Sequence, residues 1–251
     1  MFIINGEEKN EVSIDNSFLF GKGLFETIMI LETPLFLKEH IKRINSSSKK
    51  FGINNNFNIL EIEEEIKKRN VKNKVLKLIL TDKNKILAIR ENTYNNETYK
   101  IGFSLCRSKV RRNSTSLLSF VKSVNYIENL LEKEKAKVKG FDEVLFLNEN
   151  GKITETSSSN IFFIKNKKIY TPKLQCGLLP GIIRSWIIKN FDVIEGSFNL
   201  TDILKSDEVF LTNSVIGIVR VNKIENKRFE ILEETLKISK RYEEEIGGTL
   251  W

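Results

Sequence analysis

Apolar residues recur at two spacings along this chain, and each spacing predicts a different kind of element. Short apolar runs bounded by Asn, Asp or Gly predict strands at residues 1–4, 24–31, 75–80, 86–90, 99–105, 143–147, 192–195 and 208–215. Apolar residues three or four positions apart in polar or charged segments predict helices at residues 37–51, 59–69, 125–139, 200–204 and 226–245, with another opening at residue 181. Strands mixed with helices indicate an α/β chain of the α+β type.

A polar and basic stretch near the middle of the chain, residues 109–116, is typical of a connection between domains. We therefore expect a small N-terminal domain at residues 1–110, a linker at 111–115 and a larger C-terminal domain at 116–251. Arg111 and Arg112 are interpreted as charges of that linker. The last predicted helix is expected to pack through Phe229, Ile231, Leu232, Leu236 and Ile238.

The charge of the chain narrows its possible partners. Lys and Arg number 41 against 33 Asp and Glu, but the basic residues are interspersed with Glu and form no long tract. We therefore expect a solvated surface and no nucleic-acid partner. No stretch of the sequence approaches the ~20 apolar residues of a membrane helix, so no membrane association is expected.

The rarity of histidine and cysteine limits metal and nucleophilic chemistry. His40 is the single histidine, which argues against histidine-based triads, and no metal site is expected. Cys106 and Cys176 lie 70 residues apart and lack metal-site spacing. They are interpreted as reduced thiols of a cytoplasmic protein, because disulfides are rare in that compartment.

Three features of the second half of the chain combine into one candidate site. Lys122 has the apolar or aromatic neighbours Val121, Val124 and Tyr126, and loss of water lowers the pKa of an amine toward the range where it acts as a base or nucleophile. Glu155 ends a predicted strand just before the polar loop 156–160. The helix opening at Gly181 offers backbone N–H groups to a phosphate. An activated lysine, a carboxylate and an anion-binding helix start are what pyridoxal phosphate needs.

The order and spacing of these features resemble the fold-type IV pyridoxal-phosphate enzymes. That family includes branched-chain and D-amino-acid aminotransferases and 4-amino-4-deoxychorismate lyase. The resemblance covers nearly the whole chain and implies a two-domain fold, pyridoxal 5′-phosphate as the cofactor and a homodimer. It implies that Lys122 binds the cofactor covalently and that Glu155 binds the nitrogen of its ring. It also implies that Leu179 supports the ring, while the backbone at Ile182 and Ile183 binds the phosphate.

Motifs in the first and last thirds of the chain extend this resemblance. The run G-K-G-L-F-E-T at residues 21–27 is similar to a turn and strand of the family, with lysine in place of the usual acid. Its Thr27 is a candidate catalytic hydroxyl in the substrate pocket. Arg43 stands where the family binds the phosphate, and Ser214 aligns with a phosphate-binding hydroxyl. Taken alone, Arg43 would be a surface cation, His40 a packed residue and the turn at Ser214 an ordinary turn.

Three motifs are most similar to the lyase branch of the family. They are F-E-T-I at residues 25–28, K-x-x-N-Y-x-E-N at 122–129 and N-S-x-x-G at 213–217. This resemblance implies conversion of 4-amino-4-deoxychorismate to 4-aminobenzoate and pyruvate in folate synthesis. The alternative is an aminotransferase that acts on D-amino acids or branched-chain amino acids with the same cofactor.

One turn of the sequence departs from the family. Many relatives carry an Arg-Gly and a glycine-rich loop that contributes to substrate selection, whereas residues 81–85 are Thr-Asp-Lys-Asn-Lys. Lys83, Lys85, Arg90 and Tyr94 are candidate replacements. The sequence leaves the choice among them open.

Overall fold

The structure is a computed structural model, and it describes residues 1–250 of the 251-residue chain. Its strands are β1 (Phe2–Ile4), β2 (Glu7–Glu8), β3 (Leu24–Ile30), β4 (Lys74–Leu80), β5 (Lys85–Glu91), β6 (Phe103–Arg112), β7 (Glu143–Asn148), β8 (Ile153–Thr156), β9 (Asn160–Lys165), β10 (Lys168–Pro172), β11 (Val193–Gly196), β12 (Glu208–Asn213), β13 (Gly217–Ile224) and β14 (Lys227–Arg228). Its α-helices are α1 (Asn16–Phe20), α2 (Leu37–Lys50), α3 (Ile59–Lys68), α4 (Asn96–Ile101), α5 (Ile127–Val138), α6 (Ile182–Asn190), α7 (Leu200–Leu204) and α8 (Glu233–Ile246). The mixture confirms the α+β class.

The first compact unit consists of Met1–Thr93 and the short segment Val121–Tyr126. Its antiparallel sheet has the strand order β2-β1-β5-β4-β3. Because successive side chains of a strand point to opposite faces, β3 buries Ile28 and Ile30 in the same core as Ile41 and Ile44 of α2. The other face of β3 carries the side chains of Phe25 and Thr27.

The segment Val121–Tyr126 is attached to the start of β3. The N–H of Phe25 donates to the carbonyl of Lys122 at 2.9 Å, and the N–H of Val124 donates to the carbonyl of Gly23 at 3.0 Å. These bonds continue the ladder of the sheet and hold the backbone of Lys122 beside Phe25.

The second compact unit consists of Tyr94–Phe120 and the chain from Ile127 onwards. Its nine-stranded sheet follows the order β11-β10-β9-β12-β13-β6-β7-β8, with β14 paired to β13. Because β8 also pairs with β9, the strands from β9 to β8 form a closed ring. Phe162 and Phe210, which are fully buried on adjacent strands of this ring, stack with their ring centroids 5.0 Å apart. The packed ring gives rigid strand ends on which side chains can be placed.

The division of the chain differs from the expected boundary at residues 110–116. A strand was expected at residues 99–105, but Asn95 and Thr98 form a capping box that starts α4 instead, and β6 begins only at Phe103. This strand runs to Arg112, so the expected linker begins inside the second sheet. The backbone bonds of Lys122 place that residue in the first unit.

The C-terminal helix is shorter than expected and packs through a partly different face. It begins at Glu233, where the N–H groups of residues 234 and 235 donate to the Glu208 carboxylate at 2.9 and 2.8 Å. Its buried side chains are Thr235, Ile238 and Tyr242, whereas Ile231 and Leu236 are more than half exposed. The expected packing face is confirmed at Phe229, which lies before the helix, and at Ile238, but not at Ile231 and Leu236, because the helix starts later than its charged sequence indicated. Among residues 1–250, no helix is long and apolar enough to cross a membrane.

Candidate active site

Lys122 is surrounded by aromatic side chains of the first unit. Its Nζ atom lies 4.5 Å from the ring centroid of Phe25 and 5.8 Å from that of Tyr126. The two rings meet edge to face, with their centroids 5.3 Å apart. The amine is half-buried, which is the apolar setting that its sequence neighbours predicted.

A second lysine, Lys77, lies against the same ring and was missed in the sequence. Its Nζ atom is 4.6 Å from the Phe25 centroid, and its position in β4 is directly opposite Thr27 in β3. Burial lowers the pKa of Lys77, and the nearby Arg90 lowers it further. Within residues 1–250, no carboxylate pairs with Lys77. Lys77 lies two residues after Val75 in β4, so the two side chains share a face, and Val75 is fully buried there. This spacing in the sequence was a signal that Lys77 belongs to a buried surface.

The opposite face of β3 carries a buried ionic cluster centred on Glu26. The guanidinium of Arg43 donates to the Glu26 carboxylate through Nε and Nη2, both at 2.7 Å. His40 Nδ1 lies 2.7 Å from the same carboxylate. Burial raises the pKa of Glu26, but the charges and hydrogen bonds of Arg43 and His40 hold the pKa well below its usual range. Burial lowers the pKa of His40, so the neutral ring donates from Nδ1.

The predicted phosphate ligand Arg43 belongs to this cluster. Two of its nitrogens are committed to Glu26, which fixes the plane of the guanidinium. His40 is fully buried, in agreement with the structural role expected for it, and its Nε2 atom has no hydrogen-bond partner among the described residues. Glu26 was not a candidate from the sequence, although a single charge inside the apolar run L-F-E-T-I-M-I was a visible signal.

In the second unit, the candidate carboxylate Glu155 belongs to a row of polar side chains across three strands. Glu155 of β8 is opposite Asn160 of β9, which is opposite Thr212 of β12. Directly opposed residues project on the same face of a sheet, so carboxylate, amide and hydroxyl share one face. Two donors converge on Oε2 of Glu155, namely the N–H of Leu179 at 3.1 Å and Nδ2 of Asn160 at 3.3 Å. This pair of bonds fixes the orientation of the half-buried carboxylate.

Asn160 also holds the loop that opens α6. Its Nδ2 donates to the carbonyl of Leu179 at 2.9 Å. A Cβ atom on Gly181 would lie only 1.9 Å from Oδ1 of Asn160, so this close approach requires glycine. Gly181 is the N-cap of α6, and no side chain within residues 1–250 caps the helix. The first helical residues, Ile182 and Ile183, therefore present their N–H groups at an end built from backbone alone.

Ser214 stands at the tip of the turn after β12. The turn is held by Asn213, whose Oδ1 accepts from the N–H groups of Val215 and Ile216, both at 2.9 Å. Asn213 Nδ2 donates to Ser159 Oγ at 2.9 Å, which connects this turn to the polar loop after Glu155. Asn160 and Asn213 were not candidates from the sequence, because their roles depend on strand register.

The candidates thus fall into one group in each unit. In the first unit, Lys122 and Thr27 lie with Phe25 on one side of β3, and Arg43 lies on the other side. In the second unit, Asn160 links Glu155 and Leu179 to the start of α6, and α6 packs against the strand that ends before Ser214. Within residues 1–250 there is no cluster of three or more metal-ligating side chains.

Comparison with known proteins gives one family. The family model for amino-transferase class IV matches residues 23–224. The aminodeoxychorismate lyase of Bacillus subtilis (strain 168) is 30% identical over an alignment 292 positions long, which covers 100% of this chain and 99% of that protein. The D-alanine aminotransferase of Bacillus licheniformis is 25% identical over 262 residues, with 90% and 88% covered.

A solved structure shares the fold. The crystal structure of 4-amino-4-deoxychorismate lyase from Pseudomonas aeruginosa superposes with a TM-score of 0.88 at 21% identity, over 98% of this chain and 99% of that chain. The segment matched by the family model contains every candidate residue, from Thr27 to Ser214. The chain therefore belongs to the class IV amino-transferase family and is an enzyme of the two-domain fold type IV.

Proposed function

We propose that this enzyme is a lyase that uses pyridoxal 5′-phosphate to convert 4-amino-4-deoxychorismate to 4-aminobenzoate and pyruvate, a step of folate synthesis. The observation that carries the proposal is the pair of amines on the Phe25 ring, Lys122 at 4.5 Å and Lys77 at 4.6 Å. One amine is available for the chemistry and the other for binding an anionic group of the substrate. The full-length similarity to the lyase of Bacillus subtilis supports the same reaction.

The side chains and backbone groups present fit pyridoxal phosphate. An oriented carboxylate at Glu155 suits a protonated ring nitrogen, and the uncapped start of α6 suits a phosphate. The proposed ligands are Arg43, Lys122, Glu155, Leu179, Ile182, Ile183 and Ser214. Ile183 offers no hydroxyl, and the loss of one such hydrogen bond costs about 1 kcal/mol of binding, too little to abolish the site.

Lys122 has two successive tasks in the proposed reaction. The bound cofactor supplies an electron sink conjugated with the amine-bearing carbon of the substrate. Lys122 would hold the cofactor covalently in the resting enzyme, and its amine would act as the base once the substrate is bound. The free amine of Lys122 then removes the proton from the amine-bearing carbon. The C–O bond at the adjacent carbon breaks, the electron pair leaves with the oxygen, and the enol takes up a proton to become pyruvate. Loss of that one ring proton and of the C–O bond leaves the ring with three double bonds, which is the aromatic ring of 4-aminobenzoate.

Lys77 favours an anionic substrate over an aliphatic one. The amine is half-buried, and no carboxylate of residues 1–250 neutralises it. The aliphatic side chain of a branched-chain amino acid would leave this charge without a partner in the pocket, which is unfavourable. A carboxylate of 4-amino-4-deoxychorismate provides that partner. Thr27, directly opposite Lys77, is the proposed pocket hydroxyl.

One experiment separates the lyase from the aminotransferase. The purified enzyme with cofactor is incubated with 4-amino-4-deoxychorismate alone, and separately with D-alanine or leucine plus 2-oxoglutarate. We expect 4-aminobenzoate and pyruvate in equal amounts without any amino acceptor. Rapid amino exchange without an aromatic product would reject the lyase in favour of the aminotransferase. The same preparation, sedimented at micromolar concentration, tests the proposed homodimer, which a single species of 29.1 kDa would contradict.

A further inference from the structure

Arg112, interpreted from the sequence as a linker charge, is instead packed against the second sheet at the end of β6. Its side chain is only 14% exposed. Its Cζ atom lies 3.8 Å from the ring centroid of Phe146, which is fully buried in β7. A guanidinium over an aromatic face is attracted by the electrons of the ring, and its N–H groups point outward in the guanidinium plane. The ring therefore fixes the guanidinium and leaves its edge free to donate.

The two terminal nitrogens of Arg112 hold the start of helix α5. Nη1 donates to Oε1 of Glu128 at 2.5 Å, and Nη2 donates to Oδ1 of Asn129 at 2.7 Å. Glu128 and Asn129 are the last two residues of the motif K-x-x-N-Y-x-E-N, and the proposed reaction does not use them. Because the donors of a guanidinium form a rigid fork, Arg112 fixes both side chains in one orientation.

Asn129 transmits this orientation to the polar loop 156–160. Its Oδ1 accepts from Arg112, and its Nδ2 donates to the carbonyl of Ser157 at 2.6 Å. A reversed amide would direct its NH₂ group at the guanidinium and its oxygen at the carbonyl, so neither bond would form. Arg112 therefore selects the one amide orientation that can hold the loop.

The loop lies between two of the proposed cofactor ligands. Glu155 directly precedes it in the chain. Within the loop, the N–H of Thr156 donates to the carbonyl of Ser159 at 2.9 Å. Ser159 Oγ in turn accepts from Nδ2 of Asn213 at 2.9 Å, in the turn that carries Ser214. A displacement of the loop would therefore reach both proposed ligands.

A second bond between β6 and α5 does not reach the loop. Ser108 of β6 donates from Oγ to Oε2 of Glu132 in α5 at 2.5 Å, and both side chains are buried. Glu132 also accepts from Lys135 at 2.7 Å. Ser108 therefore attaches the same helix to the same strand, which makes it a matched control for Arg112.

We infer that Arg112 is a positioning residue, which acts through Asn129 on the loop 156–160 and so holds Glu155 and Ser214 in place for the cofactor. The inference rests on the proposed function, because both residues are proposed ligands of pyridoxal 5′-phosphate. Without the guanidinium, the amide of Asn129 is free to rotate and the loop loses its bond from α5. Weaker binding of the cofactor is the expected consequence.

The first test measures binding of pyridoxal 5′-phosphate to the full chain by fluorescence titration. Arg112→Gln should raise the Kd about tenfold, because a charge-assisted fork to α5 is lost. Arg112→Lys should recover little of this loss, since an ammonium keeps the charge but lacks the planar fork. Ser108→Ala, which removes a bond that does not reach the loop, should change the Kd by less than about twofold.

The second test asks whether the effect passes through Asn129. Hydrogen exchange of residues 155–160, measured by mass spectrometry, should be faster in Arg112→Gln and in Asn129→Ala, and unchanged in Ser108→Ala. The variant that carries both Arg112→Gln and Asn129→Ala should bind the cofactor no more weakly than Asn129→Ala alone, because the two residues act in one chain of bonds. Additive losses of affinity would contradict the inference.

The outcomes separate this inference from the proposed function. If the wild type binds pyridoxal 5′-phosphate and Arg112→Gln equals Ser108→Ala in Kd or in exchange of the loop, the inference fails and the proposed function stands. A wild type that does not bind the cofactor overturns the proposed function and, with it, the role of Arg112. Should Arg112→Gln not fold, Asn129→Ala still decides, because it keeps the contact of Arg112 with Phe146, and an unchanged Kd in that variant rejects the inference.

Discussion

Buried charge is neutralised on one face of strand β3, whereas the other face presents amines beside an aromatic ring. On one face, Glu26 is fully buried and its carboxylate is neutralised by Arg43, with His40 as a further donor. On the other face, Lys77 and Lys122 contact the ring of Phe25, and no acid within residues 1–250 neutralises Lys77. A closed cluster stabilises the folded chain, whereas an open cation stays available to a ligand. One strand therefore carries a neutralised, buried carboxylate on one face and two amines beside an aromatic ring on the other.

The largest expected effect comes from the face of β3 that carries Phe25, beside which Lys122 lies. Lys122→Ala removes the proposed covalent anchor and base, so formation of 4-aminobenzoate should fall about 10⁴-fold. The free energy of unfolding, measured with urea, should fall by about 1 kcal/mol or less, which is the size of the contact between the amine and the Phe25 ring. Lys77→Ala is the matched control, and its effect should fall on KM and leave kcat nearly unchanged. Equal losses of kcat in the two variants would contradict the division of tasks between the amines.

The closed face should show the reverse pattern. Glu26→Gln leaves the Arg43 guanidinium beside a neutral amide, and breaking a buried pair in this way costs about 3 kcal/mol of unfolding free energy. Because the pKa of Glu26 is lowered, its stabilisation is present at neutral pH and is lost as the pH falls below the unfolded value near 4.5. Urea unfolding at pH 7 measures the loss. Glu32→Gln, at an exposed pair with Lys72, is the control and should change little.

A buried carboxylate without a cation should give a smaller effect. Burial raises the pKa of Asp15, but hydrogen bonds from Thr81, Ser17 and the N–H of Lys83 lower it to about 2, from its ordinary 3.8. The contribution to stability is therefore about 2 kcal/mol at neutral pH, and it is lost as the pH falls from 3.8 toward 2. Asp15→Asn should be less stable than the wild type by that amount at pH 7, with a shrinking difference in acid. The exposed Asp192→Asn is the control, and a difference independent of pH would contradict this origin.

Features set by local sequence were predictable. The amphipathic spacing that predicts a helix at residues 37–51 is confirmed by α2, and the short apolar run that predicts a strand at 75–80 is confirmed by β4. The lone carboxylate Glu155 and the glycine that opens α6 stand where the motif order placed them. Periodicity and capping act over a few neighbouring residues, so a sequence displays them directly. The roles of the cofactor-binding candidates remain predictions.

Features set by strand pairing were not predictable. Lys77 is a candidate because it lies opposite Thr27 in the sheet. Asn160 is one because it connects the Glu155 carboxylate to the loop at Leu179, which is distant in sequence. A one-residue shift of register would move either side chain to the other face of its sheet. The strand expected at residues 99–105 is confirmed only from Phe103, because the cap at Asn95 starts a helix over the residues before it.

The short segment that carries Lys122 also covers the edge strand β3 of the first sheet. β3 is the outermost strand at its end of the first sheet, and an uncovered apolar edge is a template for pairing with other chains. At one end of the strand, the N–H of Phe25 donates to the carbonyl of Lys122. At the other end, the carbonyl of Met29 accepts from the N–H of Leu35, and both distances are 2.9 Å. Detaching the segment would withdraw the amine and uncover an aggregation-prone edge at once. The same backbone bonds therefore both place the lysine and cover the edge of the sheet.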